Sequence, residues 1–532
     1  MTQNSYFLMP IPPTPNGRLH LGHIAGPYLR IDVLSRFLRS RGDNVEVVSA
    51  VDGFDTYVAW KAINEGRKSE EVVSHYRELI VKDLSAMDID CAAVLDVVNG
   101  ACADEHAQTA RATVSKLSEL GLTELVVEEV LYSPASQRYI VGAWLLGDCP
   151  RCKSPSGGYF CDACGGHFKP QDMLNARDRL GDLELERRKV ESLFLRLPEP
   201  SWFEERFDQL GISGEMRQLL QRHLQVEGQL FRLTSPGEWG GVKFDPDRLG
   251  NPRVLFESGW EYALTCGSHW SKLTANDLHP LAAESRAVTI VSFGVDNAVL
   301  LLVGTIAALE AAGNKLFDRF LANYFCNLQG EKFSTSRKHA IWAEDIVKLT
   351  PAHSDAVRLF LAENSPEEAR TNFEITEFME LVNTDLVGTL QPKIQRALKA
   401  YDLNLPVSLP DDEFKRQLQL ELHRQSEAFS TLGPSLPGLA RQLRDWWSIE
   451  NSKLSGANAF WWLKGLSVMA YPVMPRTAIG VWNAIGYTGK PSLSDFFEVG
   501  STRPTDFSNP FSALTLELLA PCLPNSLLTE HQ

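Results

Sequence analysis

The chain has 532 residues, 44% hydrophobic and 22% charged, with a formal net charge of −15. Those proportions are ordinary for globular protein, and the length suggests three or four domains. No stretch reaches the ~20 uninterrupted apolar residues of a membrane span, and the acidic balance has the wrong sign for generic nucleic-acid binding. The opening MTQNSYFLMPIP has neither a basic n-region nor a long apolar core, so no signal peptide is expected and a cytoplasmic location is. Nine cysteines in a chain this long are no disulfide framework.

Tyr6 to Pro10 reads as a buried strand leading into PPTPNGRLHLGH, residues 12 to 23. YLRIDVLSRFLRSRG has helical periodicity and ends at a glycine, and NVEVVSAVD is strand-like. Together they make a βαβ opening, the signature of a parallel sheet. Residues 120 to 175 break the pattern with short strands, LVVEEVLYS and QRYIVGAWL, and a cysteine-rich knuckle. Cys149-x-x-Cys152 and Cys161-x-x-Cys164 bring four thiolates to tetrahedral spacing. A closed four-sulfur shell predicts a structural Zn2+, with His167 surplus to it. LERRKVESLFLRLPEP leads into a helical stretch, and RVLFESGWEYAL follows near residue 250. AVTIVSFGVDNAVLLLVGTIAALEAAG reads as strand, short turn and buried helix, the returning half of a sheet. From residue 373 the chain is mostly helical to about 485, and the remainder reads as an extended surface tail.

His20-Leu21-Gly22-His23 and GEKFSTSRKHAIW (Gly330 to Trp342) resemble the two signatures of class I aminoacyl-tRNA synthetases. The knuckle and FGVDNA (Phe293 to Ala298) are similar to segments of their methionyl branch. The resemblance runs over residues 5 to 485 and implies an α/β fold: a Rossmann-like parallel catalytic sheet, an inserted zinc-knuckle connective domain and a C-terminal helical bundle. The implied units are residues 1–118 and 246–325 for the two catalytic halves, 119–245 for the insertion, 326–372 for the second signature loop, 373–490 for the bundle and 491–532 for the tail. It also implies an AMP-forming, ATP-dependent ligase that uses ATP with Mg2+, and a monomer is expected.

Gly17 and Gly22 let the backbone approach a ligand, and the following helix turns its N–H groups toward phosphate. His20 and His23 can donate to phosphoryl oxygens as charge develops, with Lys332 as the cation of the second loop. The resemblance adds Thr14, Asn16, Gly294, Asp296 and Ser334 to the ATP contacts, and Pro12, Asp52 and Tyr262 to those of the amino acid. Asp52 matches the carboxylate that receives the substrate's α-ammonium.

Several positions depart from the family. Thr335 stands for the second lysine of the loop, and in RLTSPGEW Arg232 or no residue takes the part of an arginine that the family places before the final sheet strand. Around the amino acid, Thr14 stands for a tyrosine, Leu255 for a tryptophan, Leu300-Leu301 for Phe-His and Asp55 for a glycine. The set implies a reshaped cavity, with Asp55 expected as counter-charge to a polar or basic side chain rather than methionine. In the bundle, Pro392 takes the place of an anticodon-reading asparagine while Arg396 is retained, so charging of methionine tRNA is expected to be negligible. Trp446, Trp447, Trp461 and Trp462 are either a third reader or core.

Three readings are open: an adenylating enzyme repurposed for specialised metabolism, a genuine methionine–tRNA ligase with an altered pocket, and an inactive regulatory paralog. Retention of His20, His23, Asp52, Asp296 and Lys332 argues against the last, and the altered pocket against the second. The first resembles the synthetase half of natural-product enzymes that join an N-hydroxylated lysine, such as N6-hydroxylysine, to a second amino acid before a hydrazine forms. Those are usually fused to a zinc cupin. Beyond residue 485 this chain has no His-rich barrel pattern, so any cupin partner is expected to be a separate protein.

Overall fold

The computed structural model describes residues 4–161, 163–212, 214–335, 337–400, 408–430, 433–494, 496–497 and 506–528. Part of the expected tail, with Ser336 of the second signature loop and Asp162 of the knuckle, lies outside the described residues. Five parallel strands form the central sheet: β1 (Ser5–Pro10), β2 (Asn44–Val51), β3 (Ala93–Asp96), β4 (Val288–Gly294) and β5 (Arg319–Asn323). Their order is β5-β4-β1-β2-β3, with Tyr6 opposite both Val288 and Val45. From Tyr6 onward β1 is hydrophobic and buried because both its faces are covered, as a parallel strand requires. Alternation along it splits the core in two: Tyr6 and Leu8 enter one apolar cluster, Phe7 and Met9 the other.

The chain winds outward through β2 and β3, then returns on the far side of β1 at β4. This reversal opens a crevice at the carboxyl ends of β1 and β4, where open α/β sheets bind ligands. Helix α1 (Leu29–Ser40) follows β1, α2 (Thr56–Glu65) follows β2, and α3 (Trp260–Thr274) precedes β4.

A β-rich insertion separates the two halves. Strands Thr123–Ser133 and Glu186–Arg196 pair antiparallel, and Leu145–Asp148, Pro155–Gly157 and Leu174–Asp178 carry the knuckle. QRYIVGAWL is not one strand: it divides into Arg138–Tyr139, a short 3-10 turn and the start of Leu145–Asp148. Arg253–Leu255 belongs to a small antiparallel sheet with Thr234–Pro236 and Lys243–Phe244, and the chain rejoins the central layer at α3.

Beyond β5, helices run from Ile375 to Ala484. Buried Arg358 ties them to the first half, donating to Asp32 at 2.7 Å, to the Val473 carbonyl at 2.8 Å and to that of Met87 at 2.9 Å. Among the described residues, no helix is long and apolar enough to cross a membrane.

Candidate functional site

The loop after β1 is held over the crevice by the backbone. Ile11 N–H donates to Ser292 of β4 at 2.8 Å, and Asp52 N–H, at the end of β2, donates to the Pro13 carbonyl at 3.0 Å. His20 begins the turn Leu21–His23; its N–H donates to His23 Nδ1 at 3.2 Å, and the two rings stack 3.7 Å apart. Although more than 300 residues apart in sequence, the two signature segments are joined by strand-like pairing. Leu21 N–H donates to Ile341 at 3.0 Å, and Ala343 N–H to Leu19 at 3.0 Å. Phe333 then stacks on His20 with ring centres 4.7 Å apart. Gly22 makes this contact possible, since a Cβ there would lie 2.8 Å from the Phe333 ring.

Burial drives both histidines toward the neutral state: His20 falls well below its ordinary value, and His23 is pushed down to about 4, with Lys332 adding to the effect on each. Neutral imidazoles near a phosphate act as hydrogen-bond donors rather than cations. Arg18, not singled out in the sequence, lines the cavity but is engaged by Asp83 and Asp345 at 2.8 Å each. Lys332 lies over the Phe325 ring at 4.6 Å. Thr335 closes against Gly17, where a Cβ would come 3.0 Å from its methyl group.

A cavity of about 430 Å³ occupies the crevice. Of the expected residues, Pro12, Thr14, Asn16, Gly22, His23, Asp52, Asp55, Gly294, Asp296 and Thr335 line it. Gly17, His20, Lys332 and Ser334 are outside its lining; Ser334 instead exchanges backbone hydrogen bonds with His339 at 2.9 and 3.0 Å. Tyr262 lies behind Asp52 and donates to Oδ1 at 2.8 Å. Leu255 and Leu301, expected at the wall, are 1% and 0% exposed and belong to the apolar core. Their chain neighbours Phe256, Glu257 and Leu300 face the cavity instead. Arg232 is removed from it as well, forked onto Glu128 at 2.6 and 2.8 Å.

The amino-acid end is acidic. Thr14 Oγ1 donates to Asp55 Oδ2 at 3.1 Å, so two residues that replace family side chains meet in space. Asp55 also caps α2, accepting from Tyr57 N–H at 2.9 Å. Burial raises the pKa of Asp55, and burial with the charges of Asp55 and Glu257 holds that of Asp52 well above the usual carboxylate range. No sequence signal separated Glu257 from any other acid in RVLFESGWEY; only its position at the cavity does so.

At the knuckle, a tetrahedral shell with Zn–S bonds of ~2.3 Å places sulfurs about 3.8 Å apart. The Cys149 and Cys164 sulfurs are 3.8 Å apart, those of Cys152 and Cys161 3.6 Å, and all four lie within 4.8 Å of one another. The residues fit one zinc with no open position. The same insertion sends Gly158, Tyr159, Phe160 and His167 to the cavity wall, so His167 serves the cavity and not the metal.

The crevice, the paired signature loops and the four-cysteine cluster define a class: a parallel-sheet protein with a ligand cavity at the carboxyl ends of its strands and an inserted metal-binding unit. The family described as tRNA synthetases class I (M) matches residues 10–398, and the chain belongs to that family. It is 28% identical over 550 residues to "Methionine--tRNA ligase" of Thermoplasma acidophilum, covering 96% of this chain and 98% of the relative. It is 26% identical over 422 residues to the enzyme of the same name from Cytophaga hutchinsonii, where the match covers 74% of this chain and 59% of that one. A Mycobacterium tuberculosis methionyl-tRNA synthetase in complex with methionyl-adenylate shares the fold, with a TM-score of 0.71, 16% identity and coverage of 96% of this chain and 100% of that one.

Proposed function

We propose that the chain activates an amino acid with a polar or basic side chain as its adenylate, at the expense of ATP. A carboxylate oxygen of the amino acid attacks the α-phosphorus, the bond to the bridging oxygen breaks, and pyrophosphate leaves. Magnesium, bound with ATP, offsets phosphate charge. Asn16, Gly22, Gly294 and Asp296 line the cavity and hold the nucleotide, Gly17 and Ser334 shape the two loops beside it, and Thr14 sits at the amino-acid wall. His20 and His23 donate neutral N–H groups to phosphoryl oxygens, and Lys332, with Thr335 beside it, meets charge that develops in the transition state. Asp52, steadied by Tyr262, receives the α-ammonium; Pro12 borders the same space.

The observation that carries this reading is a cavity lined by Asp52, Asp55 and Glu257, none of which is ion-paired to a lysine or arginine among the described residues. A methionine thioether has nothing to offer such a wall, because an unpaired buried carboxylate beside it costs on the order of a few kcal/mol. A second reading, methionine–tRNA ligation, is favoured by the names of the relatives. Against it stands Pro392, exposed one turn before exposed Arg396. The acceptor in the first reading is a small nucleophile such as a second amino acid, in a specialised pathway with any cupin as a separate chain.

ATP–pyrophosphate exchange separates the two. Lysine or N6-hydroxylysine is expected to give stronger exchange than methionine, by about 10²-fold, with negligible methionylation of purified tRNA. Methionine giving the strongest exchange, together with robust charging, establishes the second reading instead.

A further inference from the structure

The cavity does not end at Asp296. Asp296, Tyr324 and Phe325 also line a second recess of about 700 Å³, a size ordinary for a small-molecule site. Two segments wall it. The helix Gly214–Glu227 of the insertion presents Glu215, Leu219 and Arg222, at i, i+4 and i+7 along one face. Opposite, the segment before the strand Thr371–Phe373 presents Glu368 and Arg370. Each wall therefore carries one carboxylate and one guanidinium. Among the described residues none of these four is ion-paired, whereas Arg217 and Glu227 of the same helix hold Glu204 and Arg151. Charges also converge at the junction of the two spaces. Lys332 and Arg370 lie 4.6 and 5.9 Å from the Phe325 ring centre, and burial, then the charge of Glu215, raise the Tyr324 pKa. Unpaired charges of both signs suit a zwitterion: a bare cation or anion meets its own sign on both walls, and an RNA backbone meets Glu215 and Glu368.

We infer that this second recess binds the acceptor of the activated acyl group, an α-amino acid whose carboxylate is held by Arg222 and Arg370 and whose amine lies beside Glu215 at the junction. This rests on the activation reading above and adds the site of its second substrate. The acceptor ammonium gives one proton to water in the open recess. The neutral amine attacks the carbonyl carbon of the adenylate, and the bond from that carbon to the phosphate oxygen breaks. AMP leaves with the electron pair, and the second amine proton passes to water as the amide forms.

The test follows AMP release from ATP and whichever amino acid gives the strongest exchange, as glycine, L-alanine, L-glutamate or glycinamide is added. Glycinamide keeps more of its amine neutral but has no carboxylate, so amine reactivity alone favours it. The best of the three amino acids is nevertheless expected to exceed it in kcat/KM. Arg370→Gln is expected to raise the KM for that acceptor about 10-fold, and the double variant Arg222→Gln/Arg370→Gln to raise it further, with ATP–pyrophosphate exchange as in wild type. A double variant that melts like wild type and keeps the wild-type acceptor KM overturns the inference. On wild type alone, so does glycinamide as the better acceptor, or AMP release that purified tRNA speeds and no amino acid does. If no amino acid supports exchange, the activation reading fails, and saturation-transfer NMR of L-alanine, which needs no ATP, still decides the recess. Weaker binding to the double variant than to wild type supports the site, and equal binding overturns it.

Discussion

At Gly22 one hydrogen atom decides how the two signature loops meet. A methyl group there would lie 2.8 Å from the Phe333 ring and 3.1 Å from His20 Nδ1, so Gly22→Ala must push the second loop off the first. A displacement of ~1 Å in a positioning element costs about 10²-fold in rate. Exchange activity is therefore expected to fall by about that factor in Gly22→Ala, with far less effect on the melting temperature. An active Gly22→Ala enzyme would show that this contact is not used in turnover. Single residues were unevenly legible. The loop histidines stood out once the second loop was seen beside them, and Asp52 only through the family resemblance. Leu255 and Leu301 were expected at the cavity wall and lie in the core, because adjacent positions on a strand or helix face different ways and only the packed structure tells which neighbour turns inward. Glu257 lies in the irregular stretch after the strand Arg253–Leu255, where no periodic pattern assigns a side.

Among the elements, the knuckle was the most legible, since four thiolates in two tight turns constrain themselves. Metal analysis of the purified protein is expected to return about one zinc per chain, and Cys161→Ser to hold less than half of that and to melt earlier. Unchanged zinc in Cys161→Ser rules the site out. The helical region was legible as helical but not in its details. Pro392 has no N–H to donate within a regular helix, and the structure accommodates it by running a wide-turn segment, Leu381–Leu390, directly into Gln391–Ala400. The tryptophans resolve as core: Trp446 and Trp462 each donate an indole N–H to the other's carbonyl at 3.1 Å, and both are buried. The tail is bound by three side-chain amides, one of them Gln395, which donates to the Phe507 carbonyl at 3.2 Å and to Asn509 Oδ1 at 3.1 Å. Asn383 exchanges hydrogen bonds with Leu514 at 2.8 and 2.8 Å, and Gln391 with Phe511 at 3.1 and 2.7 Å.

For the whole molecule, stability depends on buried groups that bring distant segments together. Asp32 stays below its ordinary pKa although burial works against it, because Arg36 and Arg358 lie on it from two segments. His223 in the insertion is the opposite case: both ring nitrogens are buried without a partner, and burial, with Arg151 nearby, pushes it down to about 4. An unfolded histidine titrates near 6.5. Between those values the unfolded chain takes the proton and the folded one does not, so its contribution to stability is full above about 6.5 and is lost as the pH falls toward 4. His223→Leu removes both the orphan nitrogens and the proton linkage. It is expected to raise stability by about 1 kcal/mol or more at pH 7.5 and by more at pH 5, read as melting temperature against pH. A variant that melts below wild type at pH 5 contradicts this.

The sequence by itself determined the alternation of strands and helices around a parallel sheet, the cysteine shell and the first loop, because periodicity, turn residues and ligand spacing act over a few residues of chain. Only the tertiary structure decided that Phe333 stacks on His20, that Thr14 bonds Asp55 and that Glu257, 243 residues beyond Thr14, lines the same cavity. Each of these joins segments tens to hundreds of residues apart, and which side chains meet there is set by how the layers pack, a property that no local pattern carries.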